Sequence, residues 1–168
     1  MVKKPDSLEK GDWVVHAYYG IGQITKVVTK AIGEDKARYF HVDAKNSTYF
    51  VPVKNPINDR IRPLSSTYKL RKAKKTLRSE PEELPENHND RRKFISELST
   101  SSEMDISAQI LRDLRNRKLE HKLNDFEQKV MERTEKLFIR EWAIIQEITD
   151  PEALEKLEKI YSEVFAKA

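Results

Sequence analysis

Four histidines, His16, His41, His88 and His121, are the first places to look for metal or acid–base chemistry. They fall on expected strands, a loop and a helix end, without the short regular intervals that bring imidazoles and carboxylates onto one ion. The chain has no cysteine, which removes disulfides, thiolate nucleophiles and Cys-ligated zinc. No Gly-rich phosphate loop of the ATPase type is present. The acids are abundant, but they read as i,i+4 helix-face partners of Lys and Arg. The residues therefore predict a protein that is not an enzyme, with no metal and no cofactor. What remains is recognition chemistry. Arg91, Arg92 and Lys93 follow His88 at the start of an expected helix. Guanidinium and ammonium groups beside a helix N-terminus suit phosphate oxygens.

Other cationic groups have two readings each. Arg115, Arg117, Lys118 and Lys122 gather at the C-terminal end of a later helix, where they would complement its dipole or touch a polyanion. Lys69, Arg71, Lys72, Lys74, Lys75 and Arg78 make the densest positive run, either a solvated linker helix or a DNA contact. The whole chain, 168 residues with a formal net charge of +4, permits a nucleic-acid partner without demanding one. Charged residues at 36% and hydrophobic ones at 38% suit small cores in a helix-rich protein. Met1 to Glu9 is charged and lacks the apolar stretch of a secretory signal. No apolar run approaches the ~20 residues that span a bilayer, so no membrane partner and a cytoplasmic location are expected.

The elements that must position these groups change character near residue 65. Before it, short runs alternate with period two. Trp13-Val14-Val15 follows the turn pair Gly11-Asp12, and Gly20 and Gly22 mark a bend. Ile24 to Val28, Ala37 to Val42 and Thr48 to Val53 read as strands. Ala31 to Lys36 and Asp43 to Ser47 read as polar hairpin loops, and Pro52 and Pro56 end the pairing. About 50 residues of sheet would be marginal unless the sheet curls to close its edges.

After residue 65 the period becomes helical. A short helix carries Tyr68, Leu70, Ala73 and Leu77 on one face. An acidic, Pro-punctuated connector runs from Ser79 to Glu86. Helices follow around Asp90 to Leu98 and from Ile106 to Leu119, the latter capped by Asp105. Asn124-Asp125-Phe126-Glu127 has the form of a capping box. It opens the longest helix, with Phe126, Val130, Leu137, Phe138, Trp142 and Ile145 as its core stripe. Asp150 caps the last helix with Pro151 at its first position, and Leu154, Leu157, Tyr161 and Val164 form its apolar face. Trp13 and Trp142 are expected in cores.

These motifs, in this order, resemble the CarD family of bacterial transcription regulators. Its first domain, shared with the transcription-repair coupling factor, is matched by Gly11-Asp12-Trp13-Val14-Val15, by Tyr19-Gly20-Ile21-Gly22, by Tyr39-Phe40-His41-Val42-Asp43 and by Tyr49-Phe50-Val51-Pro52-Val53. Its C-terminal domain is similar at Arg91-Arg92, at Ile110-Leu111-Arg112-Asp113-Leu114 and in the helix after Asn124. The resemblance implies an α+β chain. Residues 1–66 would form a small Tudor-like antiparallel β-barrel that interacts with RNA polymerase. Residues 67–168 would form an all-α bundle that contacts DNA.

The resemblance also implies a mechanism and its residues. The barrel docks on the polymerase β subunit through Lys30, Tyr49, Phe50 and Val51, with Thr48 to Val53 as an edge that extends the partner's sheet. Similar proteins often carry Arg at the positions of Lys30 and Phe50. Alternation does not settle whether Phe50 faces the partner or the core. The helical domain contacts promoter DNA non-specifically, in its minor groove and along its phosphates, at the upstream edge of the melted bubble. It would do so through His88, Arg91, Arg92, Lys93 and Lys129, stabilising the open complex. His88 stands where the family usually has a wedge Trp. An imidazole offers less apolar area than an indole, so weaker wedging or an exposed loop residue are the two readings. A monomer, held at the nucleoid through polymerase, is expected. The rivals are a protein adaptor without a DNA wedge and a nonspecific nucleic-acid binder.

Overall fold

β-branched and aromatic residues over the first 64 positions make five antiparallel strands in the computed structural model, which describes residues 8–58 and 60–165. They are β1 (Trp13–His16), β2 (Gly20–Ile32), β3 (Asp35–Ala44), β4 (Thr48–Pro52) and β5 (Ile61–Pro63). The sheet order is β4-β3-β2-β1-β5. Residues 1–7 of the charged N-terminal stretch lie outside the described residues.

The expected Tudor-like barrel is not what forms. The sheet stays open, because β4 and β5 are its two edges and no ladder joins them among the described residues. Three-residue β5 offers little to pair with, and its Pro63 has no N–H to give. The sheet still curls. Tyr49 and Val51 from one edge strand and Ile61 from the other share a core with Val14, Ile24, Phe40 and Val42. A register shift between Ile24 and Lys26, a β-bulge, adds local twist to β2.

Ala31 to Lys36 also departs from its reading as a loop. Ile32 pairs with Asp35, so only Gly33 and Glu34 turn the chain, with Gly33 at φ 66°. A two-residue hairpin wants that positive φ at its first position. Residues 29–31 and 35–38 on either side are exposed, so polar composition hid an extended ribbon.

The two glycines at the first bend do different work. Gly20 takes φ 80°. Gly22 lies under β3, where an added Cβ would fall 2.5 Å from Val42 Cγ1 and 3.0 Å from the Asp43 carbonyl oxygen. Backbone cannot yield as a side-chain tip can. Gly22→Ala is expected to cost about 1–3 kcal/mol, read by calorimetry as a fall of several degrees in the sheet's melting temperature. An unchanged transition would mean that β3 moves aside freely.

Residues 65–168 form a second compact unit; the first is Met1–Leu64. The second unit holds α1 (Thr67–Arg78), α2 (His88–Ser99), α3 (Met104–Glu120), α4 (Asp125–Gln146) and α5 (Asp150–Phe165). Its core joins Leu70, Ala73 and Leu77 of α1 to Ile95, Leu111, Leu114, Phe138, Trp142 and Leu157. Trp142 is buried as expected and donates to Gln146, whereas Trp13 is only half-buried.

Three local expectations shift by a residue or two. The N-cap of α3 is Glu103, and Asp105 sits in the first turn, accepting a hydrogen bond from Thr76. Thr149 caps α5 by accepting from the Glu152 N–H, which leaves Asp150 inside the helix facing Arg140. Ala153 and Ile160 take core places on α5, and Leu154 stays exposed. No helix among the described residues is long and apolar enough to cross a membrane.

Candidate nucleic-acid interface and sheet edge

His88 opens α2 and is exposed. The turn before it is built by Asn87, whose side-chain oxygen accepts from the Asn89 and Asp90 N–H groups at 2.9 and 3.1 Å. The Asn87 carbonyl accepts from the Arg91 N–H. The Asn89 and Asp90 N–H groups at this helix end are thus already engaged, and Asp90 adds a carboxylate to the first turn.

The cationic side chains here divide into two groups. Arg91 is 7% exposed, and its Nε donates to Glu127 Oε1 at 2.6 Å. Its Nη1 donates to the carbonyls of Pro85 and Glu86 at 3.2 and 2.9 Å. The guanidinium therefore ties the loop before His88 to the start of α4. Arg92, Lys93 and Lys129 are exposed. The Arg92 guanidinium stacks 4.4 Å from the centre of the Phe126 ring, and Lys129 lies one turn further along α4 from Phe126. Arg92 and Lys129 are brought to one side of the α2–α4 contact, while Arg91 is withdrawn beneath it.

Glu127 is the anchor of this arrangement. It is 2% exposed and completes a capping box with Asn124, through the Glu127 N–H to Asn124 Oδ1 at 2.8 Å and the Asn124 N–H to Glu127 Oε2 at 3.1 Å. Arg117 approaches the same carboxylate at 3.7 Å. Burial alone would push the Glu127 pKa up. The hydrogen bonds from Arg91 and Asn124 and the charges of Arg91 and Arg117 outweigh it and hold the carboxyl below its ordinary value. Of the cations near the end of α3, Arg117 is spent here and Arg115 pairs with Glu158 at 3.7 Å, so Lys118 and Lys122 are left exposed and form no ion pair among the described residues.

On the sheet, alternation sends the four expected polymerase-contact residues to opposite faces. Tyr49 and Val51 are core, and the Tyr49 hydroxyl donates to the Gly20 carbonyl. Phe50 points out, 40% exposed, with the Lys30 ammonium 3.2 Å from its ring centre and the His41 ring at its edge. Lys30 and Phe50 thus make one exposed feature on the outer face, beside the unpaired edge of β4.

The turn Ala17–Tyr19, just before the expected bend at Gly20, gathers several rings. His16 Nδ1 accepts from the N–H groups of both Tyr18 and Tyr19, at 3.0 and 3.2 Å, so the ring is neutral there. Burial, then the charge of Arg60, lowers its pKa. Tyr19 and Tyr49 stack beside it, and Tyr18 is left exposed. No group of three or more metal-ligating side chains occurs among the described residues.

Two family models divide the chain as the structure does. The CarD-like/TRCF RID domain matches residues 8–65, and the CarD C-terminal domain matches residues 72–158. The chain belongs to the CarD family. A relative from Bacillus subtilis (strain 168), named "Putative transcription factor YdeB", is 25% identical over 142 residues, covering 83% of this chain and 93% of the relative. CarD membership makes this a transcription-related protein of the polymerase-interacting kind, built from interaction domains rather than an enzyme fold.

Proposed function

We propose that this CarD-family chain docks on the β subunit of bacterial RNA polymerase through the β4 edge. In the same complex its helical unit would contact promoter DNA non-specifically at the upstream edge of the bubble, stabilising the open complex. The observation that carries this is the presence of both family domains in one chain, in order. The exposed Lys30–Phe50 pair beside an unpaired strand edge supports the first contact. Exposed His88, Arg92, Lys93 and Lys129 support the second, with Arg91 as the residue that positions them. The protein acts as a monomer in the cytoplasm, at the nucleoid through polymerase, and catalyses no reaction. Among the described residues of the helical unit no recognition helix for base reading stands out, so sequence specificity is not expected.

A second reading is favoured by one observation. His88 brings only an imidazole to the wedge position, and the neighbouring Arg91 is locked away from solvent. That is the surface of an adaptor which binds polymerase and has little hold on DNA.

Open-complex lifetime on one promoter separates the two. The intact chain is expected to prolong it. Arg92→Gln/Lys93→Gln should shorten the prolonged lifetime by about tenfold, the effect of ~1.4 kcal/mol. His88→Trp should lengthen it, because indole presents more apolar area to a base step. If the intact chain binds polymerase and neither change alters the lifetime, the adaptor reading holds.

A further inference from the structure

α1 is the outlier among the helices. It carries six cations, Lys69, Arg71, Lys72, Lys74, Lys75 and Arg78, and no carboxylate, in a chain whose entire formal net charge is +4. Like charges three and four residues apart destabilise a helix by a few tenths of a kcal/mol per pair. α1 bears that because its other face, Leu70, Ala73 and Leu77, is at most 1% exposed and fixes it in the core.

Three of the six charges have local partners. Lys69 meets Glu103 at 3.5 Å, Arg78 meets Glu163 at 3.6 Å, and the Lys74 ammonium sits 5.3 Å from the Trp142 ring centre. Arg71, Lys72 and Lys75 are exposed and form no ion pair among the described residues. Glu80, Glu82 and Glu83 follow the helix directly and form no ion pair with them. The three line a shallow concavity with Tyr68, itself 68% exposed. At ~1.5 Å rise per residue, Arg71 and Lys75 stand about one turn apart beside Tyr68, and Lys72 adjoins Arg71 on the flank of the same face, so the three charges lie within ~6 Å along the helix. Local positive potential is felt nearby: the Lys74 pKa is lowered, first by burial and then by Arg78, Lys156 and Arg71.

We propose that this stripe, Tyr68, Arg71, Lys72 and Lys75, is a second nucleic-acid surface that tracks the phosphates of duplex DNA. A compact group of exposed cations on a rigid helix complements the closely spaced anions of a duplex backbone. An acidic protein segment would need several apolar anchors, and this stripe offers the single Tyr68 ring. The Tyr68 hydroxyl supplies a donor to a phosphate oxygen at the helix start. The surface is independent of His88, Arg92, Lys93 and Lys129, and it stands or falls apart from their proposed role.

The test is the salt dependence of binding of the full chain to a mixed-sequence duplex, followed by fluorescence anisotropy. Each neutralised phosphate adds about −0.9 to the slope of log affinity against log salt. Arg71→Gln/Lys72→Gln/Lys75→Gln is expected to flatten that slope by about 2.7 if all three make contact. Gln keeps helix propensity, and unchanged circular dichroism confirms the fold. Lys10→Gln/Lys36→Gln/Lys54→Gln removes the same charge from the sheet and should leave the slope alone. Arg92→Gln/Lys93→Gln, measured alongside, reports the α2 surface separately. A triple variant that flattens the slope, whatever the α2 double does, supports the proposal. A wild-type slope in the triple overturns it, as does equal flattening by the sheet control, which reduces the effect to net charge. Failure of the intact chain to bind duplex at 50 mM salt also overturns it. So does a triple that binds DNA normally but loses binding to polyglutamate, which assigns the stripe to an acidic protein.

Discussion

Arg91→Ala is expected to destabilise the helical unit by about 3–5 kcal/mol, measured by urea unfolding followed at 222 nm. The magnitude follows from what is left behind. Glu127 is 2% exposed, and its nearest remaining cation, Arg117, stands 3.7 Å away with no hydrogen bond from its Nε. A carboxylate stripped of its close guanidinium in such a place carries the desolvation cost without the compensating pair. Arg91→Met/Glu127→Met should recover most of the loss, since two apolar side chains replace the pair without stranding a charge.

The pH dependence gives the same prediction a sign. In the native chain the Glu127 pKa is held below its unfolded value, so its stabilisation is complete above the ordinary carboxylate range and is lost as pH falls through the folded pKa. In Arg91→Ala the dominant remaining influence is burial, which raises the pKa. The variant's carboxyl then protonates more readily, so the stability gap between variant and native chain should narrow from pH 7 to pH 4. A gap that stays constant over that range would mean the Arg91–Glu127 contact is electrostatically idle. The consequence reaches the proposed DNA contact, because Arg91 also holds the Pro85 and Glu86 carbonyls just before His88. Loss of DNA binding in an Arg91 variant would therefore report a loosened loop rather than a missing phosphate ligand.

That double employment explains what could and could not be read from the chain. Glu127 is legible as the third residue of a capping box, because the pattern is local and the hydrogen bonds span three residues. Nothing local announces that a guanidinium 36 residues upstream uses the same carboxylate. Arg91 and Arg92 look alike in sequence, and only packing of α2 on α4 buries one and exposes the other. The strands that alternate, such as β4 with its buried Tyr49 and Val51, are legible for the same reason as the capping box. The ribbon on either side of Gly33 is not, because residues 29–31 and 35–38 are exposed on both faces and show no alternation. Closure of the sheet is likewise illegible. Whether two edge strands meet depends on twist and bulges summed over the whole sheet, which no single segment encodes.

Phe50→Pro is expected to weaken binding of the full chain to RNA polymerase by more than about 30-fold, the scale of a ~2 kcal/mol hot spot, with Phe50→Ala near that value. The geometry of the ladder sets this order. Val53 N–H donates to the Arg38 carbonyl at 3.0 Å, so alternate residues Val51 and Tyr49 also face β3 with their N–H groups. The N–H groups of Thr48 and Phe50 then point to the open edge, and Pro52, which has none, sits at a position where the ladder needs no donor. Alanine at residue 50 removes the exposed ring and keeps the edge donor; proline removes both and leaves the β3 ladder intact. Lys30→Ala takes away only the ammonium over the ring, a contact of ~0.5–1 kcal/mol, and should cost no more than about fivefold. Biolayer interferometry on immobilised polymerase reads all three, with melting temperature as the check on folding. If Phe50→Pro folds and binds as tightly as the native chain, β4 is not the docking strand. Three-residue β5, with its own proline, is then the other edge that the sheet offers among the described residues.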